Sequence, residues 1–186
     1  MFERRTILFG SLATLLTGTT AAAAGKRIFS LRPAFRPQIV NISGRYPSGT
    51  VLIDVRGRFL YLAAGRGNAI RYGVGVGKAG LAFSGTATVG RKEKWPSWTP
   101  TNNMIKRDPA KYLRYAGGVS GGPHNPLGAR ALYLYRDGRD TYYRIHGTNE
   151  PWTIGKAVSS GCIRMMNEHV VDLYERVPLG ATVIVL

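Results

Sequence analysis

Apolar and polar residues alternate with a period of two along much of the chain after residue 49, which is typical of β-strands. The stretch TVLIDVRGRFLYLAAG has two such runs on either side of Arg56-Gly57-Arg58, and it predicts a hairpin whose tight turn uses the glycine. A second hairpin is predicted around Asp137-Gly138, and its last strand ends at His146. Further strands are predicted from the runs AIRYGVGVG, FSGTATVGRKE and ATVIVL.

The period changes to that of a helix after Cys162. Apolar residues then recur at helical spacing and form one stripe: Met166, Val170, Leu173, Tyr174 and Val177. Asn167 is predicted to cap the start of this helix, and Pro178 to end it. The pattern thus predicts one clear helix near the C-terminal end of a chain that is otherwise rich in strands.

The middle of the chain follows neither period. Residues 95–128 are rich in proline, glycine and asparagine, and they predict a long loop with short helical turns at residues 102–107 and 110–114. A loop of this length in a compact domain is usually functional. Its aromatic residues either line a groove or pack the loop against the core: Trp95, Trp98, Tyr112 and Tyr115. We therefore predict a mainly β domain with one helix and a long functional loop.

The composition fits one folded domain with a strongly basic character. The chain has 186 residues, of which 44% are hydrophobic and 19% charged, so an intrinsically disordered protein is excluded. Its formal charge of +16 comes from lysines and arginines scattered along the sequence. This charge predicts either a solvated basic surface or attraction to an anionic envelope polymer or membrane surface. The sequence has no zinc-finger spacing and no RNA-recognition signature, so no nucleic-acid partner is predicted.

Residues 1–24 have the pattern of an export signal. Basic residues in MFERR precede the apolar run TILFGSLATLLTGTT, and AAAAG offers small residues for cleavage. We predict export to the periplasm or cell envelope, with an uncleaved signal as the only contact with a membrane. Arg4-Arg5 resembles a degenerate twin-arginine signal. Glu3 stands where Ser or Thr is expected, so the ordinary secretory route stays an alternative.

The segment between the signal and the first predicted hairpin has a different composition. Residues 25–48 contain three prolines and five basic residues, and they predict a linker with one short strand at residues 38–42. Residues 49–186 are then predicted to form the folded domain.

Cys162 is the only cysteine of the chain, and it follows His146 by sixteen residues. In an oxidising compartment, an unpaired thiol is either buried and inert, linked to another molecule, or reactive. Neighbouring strands joined by residues 147–161 would bring the thiol and the imidazole together. The imidazole would then lower the pKa of the thiol and return the proton to a leaving amine. Gly161 would let a substrate carbonyl approach the backbone closely.

Other polar residues have two interpretations each. Arg164 either binds a substrate carboxylate or forms an ion pair that holds the loop. Ser159 and Ser160 either donate hydrogen bonds to the substrate or bond to the local backbone. His124 is predicted as a loop residue, and His169 as solvent-facing or packed against a neighbour. The sequence has no cluster of His, Asp and Glu that suits a metal, so neither a metal nor an organic cofactor is predicted.

The segment HGTNEPWTIGKAVSSGCIRM resembles the active-site segment of the L,D-transpeptidases of the YkuD family. The resemblance extends over residues 49–186, and it includes TPTNNMIKRDP, GGPHNPLGARALYL and VPLGATVIVL. It implies a YkuD-like β-sandwich as the fold, with residues 49–186 as the catalytic domain.

The resemblance also implies roles for residues of the site. Cys162 would be the nucleophile and His146 its base, and the backbone carbonyl of Gly147 would orient the imidazole. Ser160 stands where many family members have a histidine. That departure removes a second imidazole from the site but leaves the pair of Cys162 and His146 intact.

The reaction implied by the resemblance is acyl transfer on peptidoglycan stem peptides during cell-wall biogenesis. A Cys162 thioester would form with the stem tetrapeptide, D-alanine would leave, and an amine would take the acyl group. The amine of a second stem gives a 3→3 cross-link, that of an envelope protein anchors the protein, and water gives an L,D-carboxypeptidase side activity. The residues alone leave one alternative open, a non-catalytic basic wall-binding module in which Cys162 is structural.

Overall fold

The structure is a computed structural model that describes residues 29–44, 46–78, 81 and 83–186. The export signal predicted at residues 1–24 lies outside the described residues. The strands are β1 (Gln38–Asn41), β2 (Val51–Asp54), β3 (Phe59–Gly65), β4 (Asn68–Gly73), β5 (Val76–Gly77), β6 (Gly85–Lys94), β7 (Arg130–Arg136), β8 (Arg139–His146), β9 (Ala157–Ser159), β10 (Ile163–Arg164) and β11 (Thr182–Val185). The helices are α1 (Asn102–Arg107), α2 (Pro109–Tyr112) and α3 (Asn167–Arg176), with short 3-10 helices at Pro33–Phe35, Leu113–Tyr115 and Pro151–Thr153. The predicted mainly β fold is confirmed.

The large sheet is built around the C-terminal strand. Its order is β1-β4-β3-β2-β11-β6-β7-β8-β10, and β5 pairs with β9 in a small second sheet. The run ATVIVL forms β11, which pairs parallel with β2 and antiparallel with β6. Val183 and Val185 are buried there in the hydrophobic core. The strand predicted from this apolar run is therefore confirmed.

Both predicted hairpins are present, as β2 with β3 and as β7 with β8. In the first turn, the positive φ of 63° falls on Arg58 rather than on Gly57. Gly57 is needed for another reason. A Cβ at this position would collide with the carboxylate of Asp54, which accepts a hydrogen bond of 2.8 Å from Gly57 N. The hairpin is confirmed, and the predicted role of its glycine is corrected.

The run AIRYGVGVG does not form the single strand that its alternation predicts. Its first half is β4 of the large sheet, whereas Val76 and Gly77 form β5 and pair with β9. Between the two strands, Gly75 exchanges two backbone hydrogen bonds of 2.8 Å with Arg164. A Cβ on Gly75 would lie 2.8 Å from the carbonyl oxygen of Thr153, so glycine is required for this close approach.

The predicted C-terminal helix is confirmed as α3. Val170, Leu173 and Val177 of the predicted stripe are buried in the core, and each such burial contributes roughly 1.5–3 kcal/mol. Met166 occupies the cap position without a side-chain hydrogen bond, and Asn167 is the first helical residue. The predicted capping role of Asn167 is wrong, because its side chain accepts hydrogen bonds from two other segments instead.

The described part of the predicted linker packs on the domain. Its strand β1 pairs antiparallel with β4 at one edge of the large sheet. Phe35 is buried, and its ring centroid lies 5.5 Å from that of Phe59. This segment thus supplies an edge strand and a core side chain. Within the described part of the chain, none of the helices combines the length and the apolar character needed to cross a membrane.

Residues 95–120, which we call the lid, contain the helical turns predicted in the long loop. Trp98 and Val119 exchange backbone hydrogen bonds of 2.9 and 2.7 Å, which join the two ends of the lid. The ring of Trp98 packs against those of Tyr115 and Tyr112, with centroid distances of 5.7 and 6.4 Å. The lid therefore has its own small aromatic core.

Candidate active site

The pairing of β8 with β10 brings together the two segments that carry the candidate catalytic residues. The strands are parallel, with Arg164 opposite His146, and Met165 N donates a hydrogen bond of 2.8 Å to His146 O. Cys162 directly precedes β10, and strand alternation places it on the same face as Arg164 and His146. Cys162 and His146 both line one cavity of about 800 Å³.

The ring of His146 is buried, and the backbone of the next residue holds it. Its Nδ1 lies 2.6 Å from the carbonyl oxygen of Gly147. A carbonyl oxygen only accepts, so Nδ1 carries the hydrogen and Nε2 has the free lone pair. Burial, with smaller contributions from the positive charges of Arg164 and Arg144, lowers the pKa of His146 to about 3. The imidazole is therefore a neutral base at ordinary pH.

The thiol of Cys162 is half-buried and lines the same cavity as His146. Its Sγ is 3.9 Å from the carbonyl oxygen of Tyr142, to which it can donate. Burial raises the pKa of the thiol, and Arg144 and Arg164 oppose this shift only in part. The expectation of a lowered thiol pKa is therefore corrected. Both charged forms lose their hydration at this site, so the pair rests as thiol and neutral imidazole.

The side chain of Ser159 makes two hydrogen bonds to the backbone of the turn before Cys162. The hydroxyl of Ser159 donates a hydrogen bond of 2.6 Å to Cys162 O and accepts one of 3.1 Å from Gly161 N. The structure therefore shows the second of the two predicted roles of Ser159, a bond to the local backbone. Gly161 has a φ of 124°, in a region that side chains disfavour. Ser160 is half-buried and lines the cavity, and its role toward a substrate stays a prediction.

Arg164 forms an ion pair with Glu150, with an Nη1 to Oε2 distance of 2.7 Å, and also lies 3.4 Å from Thr153 Oγ1. Only 14% of the Arg164 side chain is exposed. This is the loop-holding ion pair that was one of the two expectations for Arg164. The guanidinium also lines the cavity, so its role toward a substrate carboxylate stays a prediction.

The remaining histidines lie apart from this pair. The carbonyl oxygen of His124 accepts a hydrogen bond of 2.8 Å from Asn149 Nδ2, as suits a loop residue. His169 is buried and packs near Tyr72, with a centroid distance of 6.1 Å. The described residues contain no group of three or more His, Cys, Asp or Glu side chains arranged to hold a metal ion.

Sequence reasoning missed two features of the site. Asn167 was assigned to helix capping, but its Oδ1 accepts hydrogen bonds from Ala129 N at 3.0 Å and Thr148 N at 3.1 Å. The lid also lines the cavity with basic residues that seemed scattered along the sequence: Arg107, Lys111 and Arg114. Their spacing of four and three residues in a loop predicted to be functional was the available signal. Of the four aromatic residues predicted there, Trp98, Tyr112 and Tyr115 line the cavity.

Residues 48–185 match the YkuD family, described as the L,D-transpeptidase catalytic domain. This chain belongs to the YkuD family. The resemblance seen in the active-site segment is thereby confirmed.

Curated relatives of this YkuD domain are described as probable L,D-transpeptidases. The probable L,D-transpeptidase YbiS of Escherichia coli strain K12 is 36% identical over 149 residues, which cover 79% of this chain and 47% of YbiS. The probable L,D-transpeptidase ErfK/SrfK of the same strain is 35% identical over 136 residues, which cover 72% of this chain and 42% of that protein. The chain thus spans about half the length of the curated relatives it matches.

Solved structures share the fold of this YkuD domain. L,D-transpeptidase 3 from Mycobacterium tuberculosis is 17% identical with a TM-score of 0.53, over 74% of this chain and 60% of that one, a likeness in fold alone. A protein from Brucella melitensis is 56% identical with a TM-score of 0.57, over 84% of this chain and 96% of that one. It is described as a probable carnitine operon oxidoreductase, a description that differs from those of the other relatives.

Proposed function

We propose that this YkuD domain is a cysteine acyltransferase that acts on peptidoglycan stem peptides in the cell envelope. The observation that supports it most is the shared cavity of Cys162 and His146, in which the Gly147 carbonyl leaves Nε2 of His146 free to accept a proton. A neutral base beside a neutral thiol suits general base catalysis, in which the proton leaves the sulfur as the sulfur attacks.

The first half-reaction forms an acyl-enzyme. Sγ of Cys162 attacks the carbonyl carbon of the third residue of a stem tetrapeptide, meso-diaminopimelate, and the thiol proton passes to His146 Nε2. The tetrahedral intermediate then breaks its bond to the amine of D-alanine, which leaves with the proton from His146. The product is a thioester on Cys162, and the imidazole is neutral again.

The second half-reaction releases the acyl group to an acceptor. The amine of a second stem peptide attacks the thioester, His146 takes the amine proton, and the sulfur leaves and recovers that proton. The product is a 3→3 cross-link. A lysine amine of an envelope protein would give an anchored protein by the same steps, and water would give a carboxypeptidase reaction.

The proposal is tested by incubating the purified protein with disaccharide tetrapeptides and following the products by mass spectrometry. We expect release of D-alanine together with cross-linked dimer, hydrolysed tripeptide or exchange of added D-amino acids. Absence of all these products in a folded protein would contradict the proposal. Binding to isolated cell walls without any turnover would instead support the non-catalytic wall-binding module.

The rate at which iodoacetamide alkylates Cys162 is expected to rise with pH toward a midpoint above that of an ordinary thiol. Burial raises the pKa of Cys162 and lowers that of His146 to about 3. Both groups are then neutral at neutral pH, and the thiolate forms only at a higher pH than for an ordinary thiol. Intact-protein mass spectrometry from pH 5 to pH 10 measures the rate. A plateau already reached near pH 6 would indicate a preformed thiolate and would contradict the expectation.

A further inference from the structure

The lid gives the active-site cavity three positive charges that the proposed chemistry does not use. Arg107, Lys111 and Arg114 line the same cavity as Cys162 and His146. The described lining residues include one further cation and one carboxylate, Arg164 and Glu150, which pair with each other. The cavity therefore carries an excess of positive charge, and this excess comes from the lid.

The lid cations have no carboxylate partner among the described residues. The ion pairs that the structure describes all involve other side chains. Asp108, the one acidic residue of the lid, accepts a hydrogen bond of 3.2 Å from Lys111 N and thereby caps the short helix α2. Three like charges that face one cavity repel each other, and an anion in the cavity would relieve that repulsion.

The aromatic core of the lid places two of these cations, Lys111 and Arg114. The Cζ atom of Arg114 lies 4.7 Å from the ring centroid of Tyr115, and Nζ of Lys111 lies 5.3 Å from that of Tyr112. Both rings pack against Trp98. The base of the lid is tied to the domain by Asn125, whose Nδ2 donates hydrogen bonds of 2.9 and 3.0 Å to the carbonyl oxygens of Val119 and Ser120. The cations are therefore presented by a packed segment.

We propose that Arg107, Lys111 and Arg114 form an anion subsite that binds the free carboxylates of the peptide in the cavity. The identity of the ligand as a carboxylate-bearing peptide rests on the proposed function, whereas the anion subsite itself does not. The subsite makes the enzyme distinguish a donor peptide that has free carboxylates from one in which they are amidated. Arginine and lysine suit this task because both stay charged and donate several hydrogen bonds.

The single cysteine of the chain provides a test that needs no turnover. Iodoacetate and iodoacetamide alkylate the same thiol, and they differ in charge, so the ratio of their rate constants reports the potential that an anion meets on entering the cavity. Changes in thiol ionisation cancel in this ratio. Arg107→Gln, Lys111→Gln and Arg114→Gln are made singly and together. Lys106→Gln is the matched control, because Lys106 is exposed like the three cations and precedes Arg107 in α1, but does not line the cavity.

We expect the rate constant for iodoacetate, divided by that for iodoacetamide, to fall at low ionic strength. The expected fall is about twofold for Lys111→Gln and several-fold for the triple variant. Lys106→Gln is expected to keep the ratio of the unaltered protein, and about 0.5 M salt to remove the difference between variants. Equal ratios in the triple variant, the control and the unaltered protein would overturn the anion subsite.

A second experiment measures KM and kcat for two donor peptides and connects the subsite to the proposed reaction. For a donor peptide with free carboxylates, Lys111→Gln is expected to raise KM and leave kcat nearly unchanged. For the amidated donor, the same variant should not change KM. An equal rise in KM for both donors would overturn the carboxylate assignment. A lowered alkylation ratio in a protein that never shows turnover would leave the subsite standing and remove the proposed function, so the two failures are distinguishable.

An independent set of hydrogen bonds concerns the orientation of His146. The carbonyl of Gly147 and the N–H of Thr148 belong to one planar peptide group. The N–H donates to Asn167 Oδ1 at 3.1 Å, and the carbonyl oxygen on the other side lies 2.6 Å from His146 Nδ1. Asn167 Oδ1 also accepts from Ala129 N at 3.0 Å. Holding one end of the peptide plane therefore fixes the direction of the other.

The space around Asn167 is shaped for this contact. A Cβ on Gly128 or on Gly147 would collide with Asn167 Oδ1. Gly128 also has a φ of 63°, which disfavours any side chain. We infer that Asn167 is a positioning residue, which orients the imidazole of His146 through the peptide group between Gly147 and Thr148.

Asn167→Ala is expected to lower kcat by about tenfold or more with little change in KM, because the base loses its fixed orientation. Asn167→Asp keeps an oxygen acceptor at the same place, and we expect it to restore most of kcat. Nitrogen-15 NMR of the His146 ring should show a single Nδ1–H tautomer in the unaltered protein and a mixture in Asn167→Ala. An unchanged tautomer in Asn167→Ala would overturn the inference, whether or not the protein turns over substrate. Failure of Asn167→Asp to restore kcat in a folded enzyme would do so too.

Discussion

Replacing Cys162 by alanine is expected to abolish acyl transfer, with kcat reduced by about 10⁴-fold or more. The chain has no other cysteine that could act as the nucleophile, so no second thiol can replace the sulfur that forms the thioester. Fold stability should change by less than about 1 kcal/mol, because the only described hydrogen bond of Sγ is the long 3.9 Å contact with the Tyr142 carbonyl. Release of D-alanine and thermal unfolding are measured on the same preparations.

Cys162→Ser is the control that separates chemistry from packing. The hydroxyl keeps the shape and the polar contact of the thiol, but it ionises with far greater difficulty and is a much weaker nucleophile. We therefore expect a folded serine variant with at most residual activity. Full turnover by Cys162→Ala would exclude the proposed mechanism and would support a structural role for the thiol.

Replacing His146 by glutamine is expected to lower kcat by about 10²–10⁴-fold, the usual contribution of a general base. The glutamine amide is polar and similar in size to the imidazole, but it cannot take a proton from the thiol. Because the thiol rests in its neutral form, attack on the substrate needs that proton acceptor. Steady-state release of D-alanine measures the effect.

Alkylation of His146→Gln at high pH tests whether only the base has been lost. Hydroxide ionises the thiol there without help, so iodoacetamide should modify Cys162 in this variant at a rate close to that of the unaltered protein. Unchanged turnover in His146→Gln would argue that the imidazole does not act on Cys162. A large loss of alkylation at high pH would show that the variant has instead closed or distorted the cavity.

Local patterns predicted the elements whose residues pack in the simplest way. The helix α3 follows from an apolar stripe, and the two hairpins follow from alternating runs around Arg56-Gly57-Arg58 and Asp137-Gly138. Periodicity predicted the wrong strand where a residue bonds to a segment that is distant in the sequence. The run AIRYGVGVG alternates without interruption, but Gly75 bonds to Arg164, nearly ninety residues later in the sequence, and the strand divides there.

Asn167 shows the same limit for a polar side chain. Its position before a helical stripe favours a cap, because capping needs only neighbours in sequence. In the folded chain, the N–H groups of Ala129 and Thr148 instead donate hydrogen bonds to Oδ1 of Asn167. No single-sequence rule relates these three positions, because the contacts between them arise only when the strands and the helix pack together.

By itself, the sequence determined the mainly β class, the family, and the candidate pair of Cys162 and His146, because these depend on periodicity and on a local motif. Tertiary structure alone decided the directions in which the two pKa values of that pair shift, since a pKa depends on burial and on charges brought from other segments. It also decided that Arg164 pairs with Glu150 and that the lid cations face the cavity. Those properties depend on which distant residues are neighbours in space, and packing determines this in the folded chain.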